Sequence, residues 1–147
     1  MRTPRINKYL AVLRVAALAT ASSCAPIISP FSQQAYQYAT ELKVESLKLM
    51  DRAELPFNEN ESRVEKLQVE LEKAYEFARG RPRNEHSARQ WEMILDPETN
   101  LLGGFLKRWK EAGSLSYPFI SEAKRIVAEA FDAVIGLESG KIRPEEP

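Results

Sequence analysis

Val64, Leu67, Leu71, Ala74 and Ala78 stand three and four residues apart without a break. That spacing gathers five apolar side chains into one stripe of an α-helix, whereas a half-buried strand needs strict alternation. The same period recurs on both sides. Ahead of it come Phe31, Ala35, Tyr38, Leu42, Leu49 and Ala53, with one polar gap at Ser46. After it come Phe119, Ala123, Ile126, Val127, Ala130, Val134 and Leu137. No run of alternating β-branched residues and no Asn-Gly or Asp-Gly hairpin turn competes. The expected fold is all-α: a small antiparallel helical bundle, with three long helices and two short helices before the last.

The helix boundaries follow from capping chemistry. Ser29 followed by Pro30 predicts the first helix start, and Leu55-Pro56-Phe57 its end. Asn58 or Asn60 caps the second helix, Gly80 supplies its left-handed C′ position, and Pro82 blocks continuation. Asn84 starts a short helix through Ala88, Trp91, Ile94 and Leu95, which Asp96-Pro97 ends. Phe105 to Ala112 is the second short helix, stopped by Gly113. Ser114 or Ser116 starts the last, which tolerates Pro118 in its first turn and closes at Gly140. The bundle is expected over 31–140, with an acidic tail over 141–147.

Charge divides the 147-residue chain although its formal total is zero. Residues 1–40 hold four basic residues, Arg2, Arg5, Lys8 and Arg14, and no acid. From residue 24 onward the chain carries 17 basic and 21 acidic residues, a formal charge of −4. A basic, acid-free start reads as an address rather than as fold. Residues 1–14 form a positive n-region and 15–21 a short apolar segment. Ala21-Ser22-Ser23 supplies small residues for cleavage, directly before Cys24. This arrangement resembles the lipobox of bacterial lipoproteins, with Ala21 where that family prefers a large aliphatic residue. The resemblance implies removal of residues 1–23, acylation of Cys24, a tether over 24–30 and a bacterial envelope location. Ala25, rather than an aspartate, after the cysteine resembles sorting to the outer membrane, facing the periplasm. An ordinary secretory signal and an organelle transit peptide are the other readings of the same leader, beside a cytosolic protein with a basic arm. The apolar stretch from Tyr9 to Ala21 is interrupted by Arg14 and falls short of the about 20 residues a span needs.

Composition removes several chemistries. One cysteine excludes a disulfide framework, a zinc ribbon and an iron–sulfur site, and one histidine cannot build a histidine-based metal cluster. Glu41 with Glu45, Glu61 with Glu65, and Glu72 with Glu76 are acid pairs at helical spacing, read as solvated faces. Asp96, Glu98 and Asn100 mimic the start of an EF-hand loop, but Leu101 occupies the turn-glycine position and Lys107 that of the bidentate glutamate. His86 is expected exposed in a first helical turn, without an oriented nucleophile. The expectation is therefore not an enzyme, with no cofactor, no metal and no nucleic acid, but a binding or scaffold module. Its partners would be a membrane, through the lipid, and another protein.

Two strings carry the binding candidates. Arg79-Gly80-Arg81-Pro82-Arg83 places three guanidinium groups in one loop, suited to phosphate, headgroups or an acidic partner, or simply solvated at a helix C-terminus. Leu101 to Trp109 flanks two glycines with large apolar residues, permitting close backbone approach. Trp91, Phe105 and Trp109 are either docking anchors or the pins that hold short helices to the core. A soluble periplasmic module with an apolar ligand between its helices would instead have a cavity under Trp91, Trp109 and Phe119. An organelle accessory subunit is the remaining alternative.

Overall fold

The computed structural model describes residues 29–142. The leader, Cys24, most of the tether and 143–147 lie outside the described residues. Five α-helices account for the fold: α1 Gln33–Met50, α2 Glu61–Gly80, α3 Glu85–Leu95, α4 Leu102–Ala112 and α5 Tyr117–Glu138. Two 3-10 turns, Asp51–Glu54 and Phe57–Glu59, join α1 to α2, and no strand occurs among the described residues. The expected all-α bundle of three long and two short helices is the observed one.

α1 packs on α2 and α5, and α3 packs on the same two helices from the other side. Cross-helix pairs fix the directions. Lys43 meets Asp132 at 2.6 Å and Lys124 meets Asp51, so α1 and α5 run antiparallel. Tyr38 lies edge-on to Phe77 at 5.6 Å while Arg52 reaches Asn60 at the start of α2, so α1 and α2 are antiparallel too. Trp91 on Phe131 at 5.8 Å and Ser87 on Glu138 set α3 against α5 in the same way. The result is an up-down-up-down ring of α1, α2, α3 and α5.

Sequence explains the inward faces. Val64, Leu67, Leu71, Ala74 and Ala78 are all buried, as are Val127, Phe131 and Val134 of α5. Ser46 stands on the buried face of α1, with no hydrogen-bond partner for its hydroxyl.

α3 has 11 residues against 18, 20 and 22 in its ring partners. At 1.5 Å per residue it covers about half of the ring's height. α4 closes what α3 leaves open. Its start is Leu102 rather than the expected Phe105, so Gly103 and Gly104 sit in its first turn. A Cβ on Gly103 would lie 2.2 Å from the Leu95 carbonyl oxygen, and one on Gly104 1.8 Å from that of Thr99. The two glycines let this turn press directly onto backbone.

Two more boundaries differ from the sequence expectation. The N-cap of α1 is Ser32, whose Oγ accepts the Ala35 N–H at 3.3 Å. Ser29 and Pro30 are held elsewhere: Ser29 N–H donates to the Arg83 carbonyl at 2.9 Å, and the Pro30 carbonyl accepts from Arg81. Gly80 remains helical, and the left-handed residue is Arg83, at φ 59°. Pro82 forces Arg81 into extended backbone, so the reversal falls one residue beyond the proline, at a cost of about 1 kcal/mol for a non-glycine residue. Gly140, at φ 71°, does end the last helix, with its N–H on the Leu137 carbonyl.

Candidate functional site

The bundle has two chemically different ends. The proximal end, where the chain enters at Ser29, gathers the start of α1, the 81–84 loop, the start of α3 and the end of α5. Glu138 is 3% exposed there. Arg81 Nη1 and Ser87 Oγ donate to its carboxylate, and Asn84 Nδ2 does so at 3.1 Å. Asn84 also donates to the Ala78 carbonyl at 3.0 Å, and Arg81 reaches the Pro30 carbonyl. Asn84 therefore stands at the N-cap position of α3 without capping it by its side chain. A buried carboxylate with three donors ties four chain segments together.

This network corrects the reading of the arginine loop as three outward guanidinium groups. Arg81 is turned inward on Glu138. Arg79 is exposed and pairs with Glu76 at 2.7 Å; that hydrogen bond and charge raise its pKa above the ordinary value. Arg83 contributes its backbone carbonyl to Ser29.

Trp91, Phe105 and Trp109 are 2%, 3% and 0% exposed. They are core residues rather than exposed docking anchors. Trp91 packs on Phe131 at one level of the ring. At the distal end, Trp109 packs edge-on to Phe57 at 5.4 Å and donates its indole N–H to the Leu55 carbonyl at 3.0 Å. Periodicity around the glycines reveals apolar character but does not reveal which side of α4 meets the bundle.

Two grooves on the described surface bear on the binding candidates. One, of about 360 Å³, lies between the 97–100 turn, α4 and α5. Phe105 and Phe119 form its apolar floor, stacked at 6.1 Å, with the Arg108 guanidinium 4.5 Å over Phe119. Neither tryptophan lines it, unlike the cavity the apolar-ligand reading expects. Lys107 on its rim pairs with Glu98 at 2.6 Å, which raises the lysine pKa. The other groove, of about 610 Å³, runs between α1 and α2. Lys48, Arg52, Arg63 and Lys66 line its distal half, and Glu41 and Glu45 its proximal half. Arg52 is fixed there by its Nε, which donates to Asn60 Oδ1 at 2.7 Å. Asn60 is fully buried, and its Nδ2 donates to the Pro56 carbonyl at 3.1 Å. Charge spacing in the sequence contains these cations, but only the packing of α1 on α2 brings them together.

His86 is exposed in the first turn of α3, and the three glutamate pairs are exposed. Among the described residues no group of three His, Cys, Asp or Glu side chains is placed to hold a metal ion. No described helix is long and apolar enough to cross a membrane. Comparison with family models, with curated proteins and with solved structures finds no match to this chain.

Proposed function

We propose that this protein is exported and lipid-anchored in a bacterial envelope, where its helical bundle acts as a non-catalytic binding module. The observation that carries this reading is Cys24, directly behind Ala21-Ser22-Ser23 and an acid-free basic leader. The attachment of the chain to the bundle is consistent with it. Ser29 and Pro30 are tied by hydrogen bonds to Arg83 and Arg81 only five residues beyond Cys24. At no more than about 3.6 Å per residue, the proximal end stays within roughly 18 Å of an acylated Cys24. Several acyl chains are needed for stable anchoring, since one binds only marginally.

The test is the intact mass of the mature protein from a bacterial membrane fraction, beside Cys24→Ala. The expected result is a chain starting at Cys24 with diacylglyceryl and acyl mass, which the variant lacks. A mature chain without lipid, or an uncut one, overturns the anchor. A second reading, a soluble periplasmic module for an apolar ligand, draws on the Phe105–Phe119 floor of the smaller groove. It is favoured by cleavage without lipid together with co-purified apolar mass.

A further inference from the structure

The distal half of the α1–α2 groove gathers four cations that form no ion pair among the described residues. Lys43, Lys73, Arg79, Arg81, Lys107, Lys110, Lys124 and Arg125 form ion pairs with carboxylates. Lys48, Arg52, Arg63 and Lys66 form none, as do Arg89, Arg108 and Lys141 elsewhere on the surface, but these four line one half of one groove.

Their placement is electrostatically unfavourable without a counter-charge. Lys48 and Arg52 are four residues apart on one wall, and Arg63 and Lys66 three apart on the other, both spacings at which like charges repel along a helix. Arg63 also stands in the first turn of α2, where the helix dipole disfavours a cation. The carboxylates at hand do not neutralise the cluster: Glu45, one turn before Lys48, makes no ion pair with it, and Glu70 is paired with Lys73 at 2.7 Å. Arg52 is held in place by a fully buried asparagine through Nε, and its two terminal nitrogens form no hydrogen bond or ion pair among the described residues. A guanidinium fixed in this way is pre-organised for an oxyanion, because its remaining N–H groups match two oxygens at once.

We infer that the distal half of this groove is a binding site for a multiply charged oxyanion of the phosphate type. The anion sits between Arg52 and the Arg63–Lys66 turn, with Lys48 adding charge from α1. Glu41 and Glu45 limit the site on its proximal side and orient the ligand, with its negative group towards α2's first turns. The inference does not rest on the lipid anchor. The site lies at the end of the bundle away from Ser29, which favours a soluble phosphate-bearing ligand over the headgroups of the anchoring membrane.

The test is a calorimetric titration of the full-length chain carrying Cys24→Ala, so that no acyl group contributes, with inorganic pyrophosphate at ionic strength held constant by sodium chloride. Saturable one-site binding is expected. Joint Arg63→Gln and Lys66→Gln substitution weakens it about tenfold, through loss of two charge-assisted contacts. Glu45→Gln tightens it about twofold by removing a like charge. Arg89→Gln, an exposed cation on α3, leaves it unchanged. All four side chains are exposed, so far-UV circular dichroism of each variant matches the parent. Phosphatidylglycerol vesicles form the second arm. Pyrophosphate saturation without vesicle binding assigns the phosphate to a soluble ligand. Vesicle binding that the Arg63–Lys66 variant abolishes assigns it to a headgroup. Absence of saturation by either probe, or equal loss in Arg89→Gln, overturns the site.

Discussion

The proximal and distal ends of the bundle are closed by opposite means. At the proximal end a buried carboxylate, Glu138, collects Arg81, Asn84 and Ser87, and through Arg81 the backbone of Pro30. At the distal end α4 lays Trp109 against Phe57, and the contact between these two helps close the bundle with one indole N–H on the Leu55 carbonyl, beside the neutral Asn60 that joins Arg52 to the Pro56 carbonyl. The first closure is directional: each donor has one place, so the incoming chain is held in one geometry. The second is dispersive and area-driven, and tolerates graded change. Under the proposed function, the difference suits the two ends to different work. A fixed attachment suits the end where a tether enters. The distal end carries the basic half of the α1–α2 groove, where the oxyanion site is proposed, and the aromatic-floored groove.

Substitutions sharpen the contrast. The largest effect is expected at the distal end: Trp109→Ala removes a fully buried indole and costs about 4 kcal/mol in urea unfolding. Trp109→Phe should recover most of this loss, since area rather than direction dominates there. At the proximal end Glu138→Ala costs about 3 kcal/mol, because Arg81, Asn84 and Ser87 lose their acceptor together. Here the isosteric Glu138→Gln should recover little, since an amide replaces one acceptor by a donor facing three donors. Equal rescue at both ends would break the comparison. Gly104→Ala follows, at about 2 kcal/mol, because its Cβ meets the Thr99 backbone and that backbone must shift.

The smallest effect is electrostatic. Glu122, on the distal half of α5, is held below the usual carboxylate range by its hydrogen bond and ion pair with Arg125. A carboxylate depressed in the folded state contributes stability above its unfolded pKa and loses it as pH falls through its folded one. Both side chains are more than half exposed, so solvent screens the pair. Glu122→Gln should flatten the acid limb of the stability–pH curve slightly and leave neutral pH nearly unchanged.

The helices were legible because their stripes are long. Val64 to Ala78 repeats its period over four turns, and every member is buried. Caps were less legible, because a serine or glycine states a capacity and tertiary contacts select among the candidates. Ser29 and Ser32 are both competent N-caps; the hydrogen bonds of Ser29 and Pro30 to the 81–83 loop leave the role to Ser32. Arg81 read as surface charge because its partner, 57 residues away, is not a local feature. Glu138 had a signal that was missed. It continues the buried 127–131–134 series of α5, so a polar residue stood in phase with the core. Ser46 gave the same kind of signal in α1 and is indeed inside. The basic groove had no signal along either helix separately, since it exists only where α1 lies beside α2.

The orientation that follows from the proposed lipid anchor turns the proximal end to the membrane and the distal end away from it. It is tested by attaching a fluorophore at Glu85→Cys or at Asn58→Cys in the mature protein, with Cys24 acylated, held in vesicles containing spin-labelled lipid. Both positions are exposed, at the proximal and distal ends respectively. Strong quenching is expected at position 85 and weak quenching at position 58. Equal quenching at the two positions, or the reverse order, would contradict it.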